Sequence, residues 1–258
     1  SWTSRTPDAS YNFWGFTYGN STYVLVGHRG TAVNCSSLTS HNYCLGGIQT
    51  SSDGISWTSR TVTSTSFRLR EVTYGNSTFV TVGDNGTILT SSDGTSWTNK
   101  RTSSVTSEHL YEVTYGNGLF VTVGENATIL TSSDGTTWTN KRTSSGTTKN
   151  LYGVTYGNST FVTVGDNATI LTSSDGTTWT NTSTNKRTTL RYFSKADTNH
   201  LYGVTYGDDL FVTVGGNATI FTSSDGTTWT ERDGLRSTWA TPKYLKGVTY
   251  RKKLFVAV

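Results

Sequence analysis

The sequence predicts an all-β fold: a six-bladed β-propeller of four-stranded antiparallel blades, its last blade shared between the N- and C-termini. Three observations predict it. A unit of about forty residues recurs along the chain, marked by Trp2, Trp57, Trp97, Trp138, Trp179 and Trp229, and that period belongs to four-stranded propeller repeats. Within each unit Val, Thr, Tyr, Phe and Trp alternate with polar residues and are cut by Gly, Asn and Asp, the pattern of short strands joined by tight turns. The two ends are complementary in phase: residues 1–6, SWTSRT, repeat the fourth strand at 56–61, whereas 245–258 carry only the first two strands of a unit.

Residues 153–181, GVTYGNSTFVTVGDNATILTSSDGTTWTN, show the unit in full. A first strand (Val154, Tyr156) ends at a Gly-Asn turn, a second (Phe161, Val162, Val164) at Gly-Asp-Asn, and a third (Ile170, Leu171) at Ser-Ser-Asp-Gly, before a fourth around Trp179. One domain, 1–258, is expected, with blades at 11–61, 67–102, 110–143, 151–184 and 201–232 and a split blade of 245–258 plus 1–6. A helical solenoid is excluded because no segment shows a 3.6-residue apolar period. Insertions at 33–46 and 185–200 lengthen connections that a propeller opens on one face, where insertions often mark binding. The split blade lacks its third strand. Residues beyond the ends, a three-stranded blade, or a strand from a neighbouring chain would each account for it. The last would give self-association into a homo-oligomer or filament.

Hydrophobic residues make up 33% of the chain and charged residues 15%, so eight Trp and fourteen Tyr must supply much of the core. The net charge is +4 and no basic run exceeds residues 251–253, which argues against a nucleic-acid partner. No apolar run approaches the roughly 18 residues of a membrane span. Cys35 and Cys44 lie together in the first insertion. A disulfide closing that short loop is expected over two free thiols, and a metal site would want more ligands. The chain has no Met and begins at Ser1; signal removal, or a sequence given only over an ordered region, would explain both. The expected location is extracellular or at the cell surface.

Ser-x-Asp-Gly-x-x-Trp recurs five times, pairing Asp53 with Trp57, Asp93 with Trp97, Asp134 with Trp138, Asp175 with Trp179 and Asp225 with Trp229. A carboxylate there can accept backbone N–H bonds across the turn, Gly takes a positive φ, and Trp covers the hairpin. SSDGTTW resembles the Asp-box of sialidase-type (BNR) propellers, in a form one residue shorter between Asp and Gly. The repeats are also similar to those of the Ycf48-like photosystem II assembly factors, another Asp-box propeller family with an arginine-rich surface patch. The resemblance covers essentially the whole chain and implies a structural role for these ten residues.

Sialidase chemistry does not carry over, because it needs residues unique among the blades. Here the Tyr of Val-Thr-Tyr recurs at Tyr74, Tyr115, Tyr156, Tyr206 and Tyr250, as scaffold would. Glu is rare, at Glu71, Glu108, Glu112, Glu125 and Glu231, and His28, His41, His109 and His200 read as solvated loop residues. No catalytic residue, cofactor site or metal site is predicted. Arg5, Arg60, Arg101 and Arg142 recur on the outermost strand, as a patch or as charges that deter edge pairing.

Asn-x-Ser/Thr occurs at Asn20, Asn34, Asn76, Asn85, Asn126, Asn158, Asn167, Asn181 and Asn217, mostly at hairpin tips. These are candidate glycosylation sites in a secreted chain; equally, Asn simply suits turns. Function divides into a non-enzymatic structural or adhesive module, self-assembling into filaments in one form, and a binding propeller for glycan or protein. Asp84, Glu125 and Asp166 recur at one turn as a lectin would require, but Gly216 and His28 break the series.

Overall fold

A computed structural model describes residues 10–29, 45–62, 67–100, 105–141, 147–183, 200–232 and 244–258. Trp2, Asn34, Cys35, Cys44, His41, Arg5, Arg101 and Arg142 fall outside these residues. So do the expected disulfide and the strand at 1–6 on which the shared blade and the self-association expectation rest.

The protein is an all-β propeller built from repeated antiparallel sheets. The chain divides into two compact units, Ser1–Thr122 with Ser132–Asn140 and Val123–Thr131 with Lys141–Val258. The first holds sheet β1–β4 (Tyr11–Gly19, Thr22–Arg29, Leu45–Ser51, Thr58–Arg60) and sheet β5–β8 (Leu69–Gly75, Thr78–Gly83, Ile88–Ser91, Thr98–Asn99). The unit boundary runs along sheet β9–β12 (Leu110–Gly116, Leu119–Gly124, Ile129–Ser132, Thr139–Asn140). The second unit continues with β13–β16 (Leu151–Gly157, Thr160–Gly165, Ile170–Ser173, Thr180–Asn181) and β17–β20 (Leu201–Gly207, Leu210–Gly215, Ile220–Ser223, Thr230–Glu231). Strands β21 (Val248–Arg251) and β22 (Leu254–Ala257) form the sixth sheet, two-stranded among the described residues.

Each sheet of four is a meander in sequence order, and most of the turns within the sheets are short. Asn76 and Ser77, between β5 and β6, both take left-handed φ values of 44° and 57°; that two-residue turn matches the twist of antiparallel strands. The Gly-Asp-Asn break is a single 3-10 turn in which Asn85 and Asn167 sit at φ 55° and 54°, a conformation Asn tolerates better than most residues. Fourth strands are shorter than the sequence suggests. Trp97, Trp138, Trp179 and Trp229 precede them and belong to the turn, each indole N–H donating to the Gly carbonyl three residues back.

The core lies between successive sheets. Val24, Val26 and Ile48 of the first sheet pack with Leu69, Phe79 and Leu89 of the second, and Val162, Val164 and Ile170 pack with Leu201, Phe211 and Phe221. First strands run against first strands, β1 on β5, β5 on β9, β13 on β17 and β17 on β21. The approach is close enough that a Cβ on Gly75 would fall 2.0 Å from the Tyr115 ring. Thus Tyr74, Tyr115, Tyr206 and Tyr250 pack against the Gly ending the preceding first strand, as scaffold.

Candidate functional site

The five Ser-x-Asp-Gly-x-x-Trp turns spend their carboxylates locally. Asp175 Oδ1 accepts the N–H groups of Thr177 and Thr178 at 2.8 Å and the Ser173 hydroxyl at 2.9 Å, and Ser173 Oγ accepts the Gly176 N–H. Asp53, Asp93, Asp134 and Asp225 repeat the set. Backbone hydrogen bonds to the ionised form hold all five below the usual carboxylate range. These turns also receive the preceding sheet. Asn20, Asn76 and Asn158 each donate from Nδ2 to the Ser carbonyl just before the Asp of the next turn, at 3.2 to 3.3 Å. A glycan on those three nitrogens would break that bridge, whereas Asn126 and Asn167 are exposed.

What differs between sheets gathers at the entry ends of the first strands. Pairing there skips one residue, between Phe13 and Gly15, Leu69 and Glu71, Leu151 and Gly153, and Leu201 and Gly203. The skipped residues are Trp14, Arg70, Tyr152 and Tyr202. A bulge frees a residue from the ladder and re-aims its side chain. Behind three of these bulges a fully buried Thr hydroxyl donates to the carbonyl of the following residue: Thr81 to Glu71, Thr163 to Gly153 and Thr213 to Gly203. A near-identical scaffold therefore presents Trp, Arg or Tyr at its bulges.

In the first unit the Arg70 guanidinium lies 5.4 Å from the Trp14 ring and 4.9 Å from the Tyr111 ring. Its Nε donates to Asp84 Oδ1; Arg68 Nε lies 3.4 Å from Oδ2. His109 Nδ1 accepts the Asn85 N–H at 2.9 Å, so it offers no proton to Asp84 3.7 Å away. His28 corrects its expected place in a solvated loop. It is 4% exposed on β2, stacked edge-on to Trp14, with Nε2 3.3 Å from the Asn12 amide nitrogen. Burial first, then the Arg68 charge, lower its pKa. With Nε2 accepting from Asn12, the ring proton sits on Nδ1, which meets no partner among the described residues.

In the second unit His200 Nδ1 lies 2.6 Å from Asp166, also contrary to a free loop residue. Tyr152 and Tyr202 stand 5.6 Å apart, and Lys246 Nζ is 3.5 Å from the Tyr202 ring centre. Burial pushes the Tyr152 hydroxyl up to about 12 and raises Tyr202 as well. The Asp84 and Asp166 series is thus engaged in fixing basic side chains rather than repeating one open cleft. Arg60 donates to Thr50 Oγ1 on the neighbouring strand at 2.7 Å, as does Arg232 to Thr222. Among the described residues no group of three His, Cys, Asp or Glu side chains is placed to hold a metal.

A family model described as the DUF6242 beta propeller domain matches residues 112–219. No curated protein matches the chain. Among solved structures, YCF48 bound to D1 peptide aligns over 93% of this chain and 71% of its own, with TM-score 0.63 and 14% identity. YCF48 from Cyanidioschyzon merolae aligns over 98% and 94%, with TM-score 0.54 and 16% identity. A catalytically inactive virginiamycin B lyase from Staphylococcus aureus with quinupristin aligns over 95% and 76%, with TM-score 0.72 and 11% identity. These likenesses show the fold, a β-propeller.

Proposed function

We propose that this propeller is a non-enzymatic binding module that holds a protein segment at the entry ends of the first strands of one unit. The observation that carries the reading is the bulge. Trp14, Arg70, Tyr152 and Tyr202 are the residues lifted out of the strand ladder, and they vary among Trp, Arg and Tyr where the rest of the repeat is nearly constant. Aromatic rings and arginine are the side chains that dominate protein recognition surfaces. YCF48 with its D1 peptide is a propeller with a peptide bound, and it supports a ligand of that kind here. The non-enzymatic reading draws on the histidines, since His109 and His200 are committed to structural partners and His28 is walled in by Trp14 and Asn12. Export to an oxidising compartment rests on Cys35 and Cys44 and is tested by mass analysis under non-reducing conditions.

The binding reading is tested on a peptide array with the full chain and with Trp14→Ala, Tyr152→Ala and Tyr202→Ala. Hits that these variants lose, with melting temperatures kept within a few degrees, are the expected outcome. Hits indifferent to all three would refute the site. A second reading, a self-assembling structural module, draws on Leu254, Val256 and Val258, which are exposed at 62%, 46% and 75%. Filaments of purified protein in negative-stain electron microscopy would favour it, and a saturable glycan-array hit would favour a lectin.

A further inference from the structure

We propose that Arg70, with Arg68 beside it, receives a side-chain carboxylate of an acidic peptide segment at the entry end of β5. The proposal rests on the binding reading above and names the chemistry of one part of that surface. Arg70 is held before any ligand arrives. Its bulge position turns it out of the ladder, two aromatic rings lie 5.4 and 4.9 Å from its guanidinium carbon, and its Nε donates to Asp84. What remains is the pair of terminal amino groups, with no acceptor among the described residues on a side chain 26% exposed. A planar fork whose orientation is already fixed loses little freedom on meeting a planar carboxylate, and two parallel N–H···O bonds are the strong form of that contact.

The local charge agrees. Arg68 and Arg70 both face the carboxylate of Asp84, so this end of β5 carries two guanidinium groups. The Trp14 and Tyr111 rings offer apolar walls for the methylenes of a Glu side chain. At the positions of Arg68 and Arg70 the other first strands carry Asn12 and Trp14, His109 and Tyr111, Asn150 and Tyr152, His200 and Tyr202, and Tyr244 and Lys246, so the forked guanidinium contact should be confined to β5.

The test is an array of paired dodecapeptides that differ only in Asp and Glu against Asn and Gln. It is probed with the full chain, Arg70→Met and Arg70→Lys, and the hits are titrated by calorimetry. Acidic members should bind about tenfold or more tighter than their amide partners, as expected for a hydrogen-bonded charged contact. The preference should vanish in Arg70→Met and fall sharply in Arg70→Lys, which lacks the fork. Added salt should weaken it. Arg68 remains beside Asp84 in both variants, so folding is checked by thermal melting. Equal binding of acid and amide partners, or a preference that survives Arg70→Met, would overturn the carboxylate assignment and leave the binding reading standing. Hits displaced equally by inorganic phosphate would overturn the peptide assignment, and an array without any hit would overturn both.

Discussion

Raising the pH from 5 to 8 should destabilise this propeller through two carboxyl groups that the repeat ordinarily replaces with glycine. Glu71 and Glu112 stand in neighbouring first strands where the other sheets carry Gly15, Gly153, Gly203 and Gly247. Burial raises Glu71 from 4.5 to about 7, against the lowering pull of the Val72 and Phe16 N–H groups. Burial and the nearby Glu71 raise Glu112 well above its ordinary value. A raised acid pKa means that the folded chain keeps a proton the unfolded chain has released. The stabilisation is therefore complete below about pH 4.5 and is lost as pH rises towards 7, Glu112 extending the loss beyond. A displacement of about 2.5 units corresponds to about 3 kcal/mol at most for Glu71, or about 6 to 12 °C in melting temperature for a chain of this size. His28, whose pKa is lowered, acts in the opposite direction below pH 6.5. The carboxyl contribution is thus the difference between wild type and Glu71→Gln/Glu112→Gln, measured by urea unfolding from pH 5 to 8. The wild type should lose stability relative to the double variant across that range. A constant difference, or one that grows in favour of the wild type with pH, would refute the reasoning.

Three further expectations follow from the turns. Asp175→Ala removes the acceptor of two backbone N–H groups and should cost about 1 to 3 kcal/mol, read by chemical denaturation. Asn76→Asp keeps a turn-forming residue but removes the Nδ2 donor to the Ser133 carbonyl, a loss of about 1 kcal/mol seen as a melting shift of about 2 to 4 °C. Asn167→Ala forces a β-carbon residue without a stabilising amide into φ 54°, at about 1 kcal/mol, whereas Asn167→Gly should be nearly neutral.

The repeat made the fold legible because Phe161, Val164, Ile170 and Trp179 recur at fixed spacing and their alternation maps directly onto β14 and β15 and the turn after them. The fourth strand was read too long, since the indole of Trp179 is held by the Gly176 carbonyl within the turn. The proposed binding surface lies in what does not recur. Trp14, Arg70, Tyr111, Tyr152 and Tyr202 all follow the same Phe or Leu position, and their variation within a constant frame was the available signal. The burial of His28 was not legible, because Asn12 and Trp14 meet it only across the β1–β2 pairing. Nor was the environment of Glu71, whose surroundings come from a different sheet, at Phe16 and Gly15.

Hydrogen exchange on the full chain, alone and saturated with a peptide selected on the array, bears most directly on where this propeller binds. Protection concentrated at 12–16, 68–72 and 109–113, or at 150–154 and 200–204, is the predicted result. Protection confined to the Asp-Gly turns around Asp93 and Asp175 or to the outer strands at Thr58–Arg60 and Thr180–Asn181, with the entry ends unchanged, would contradict it.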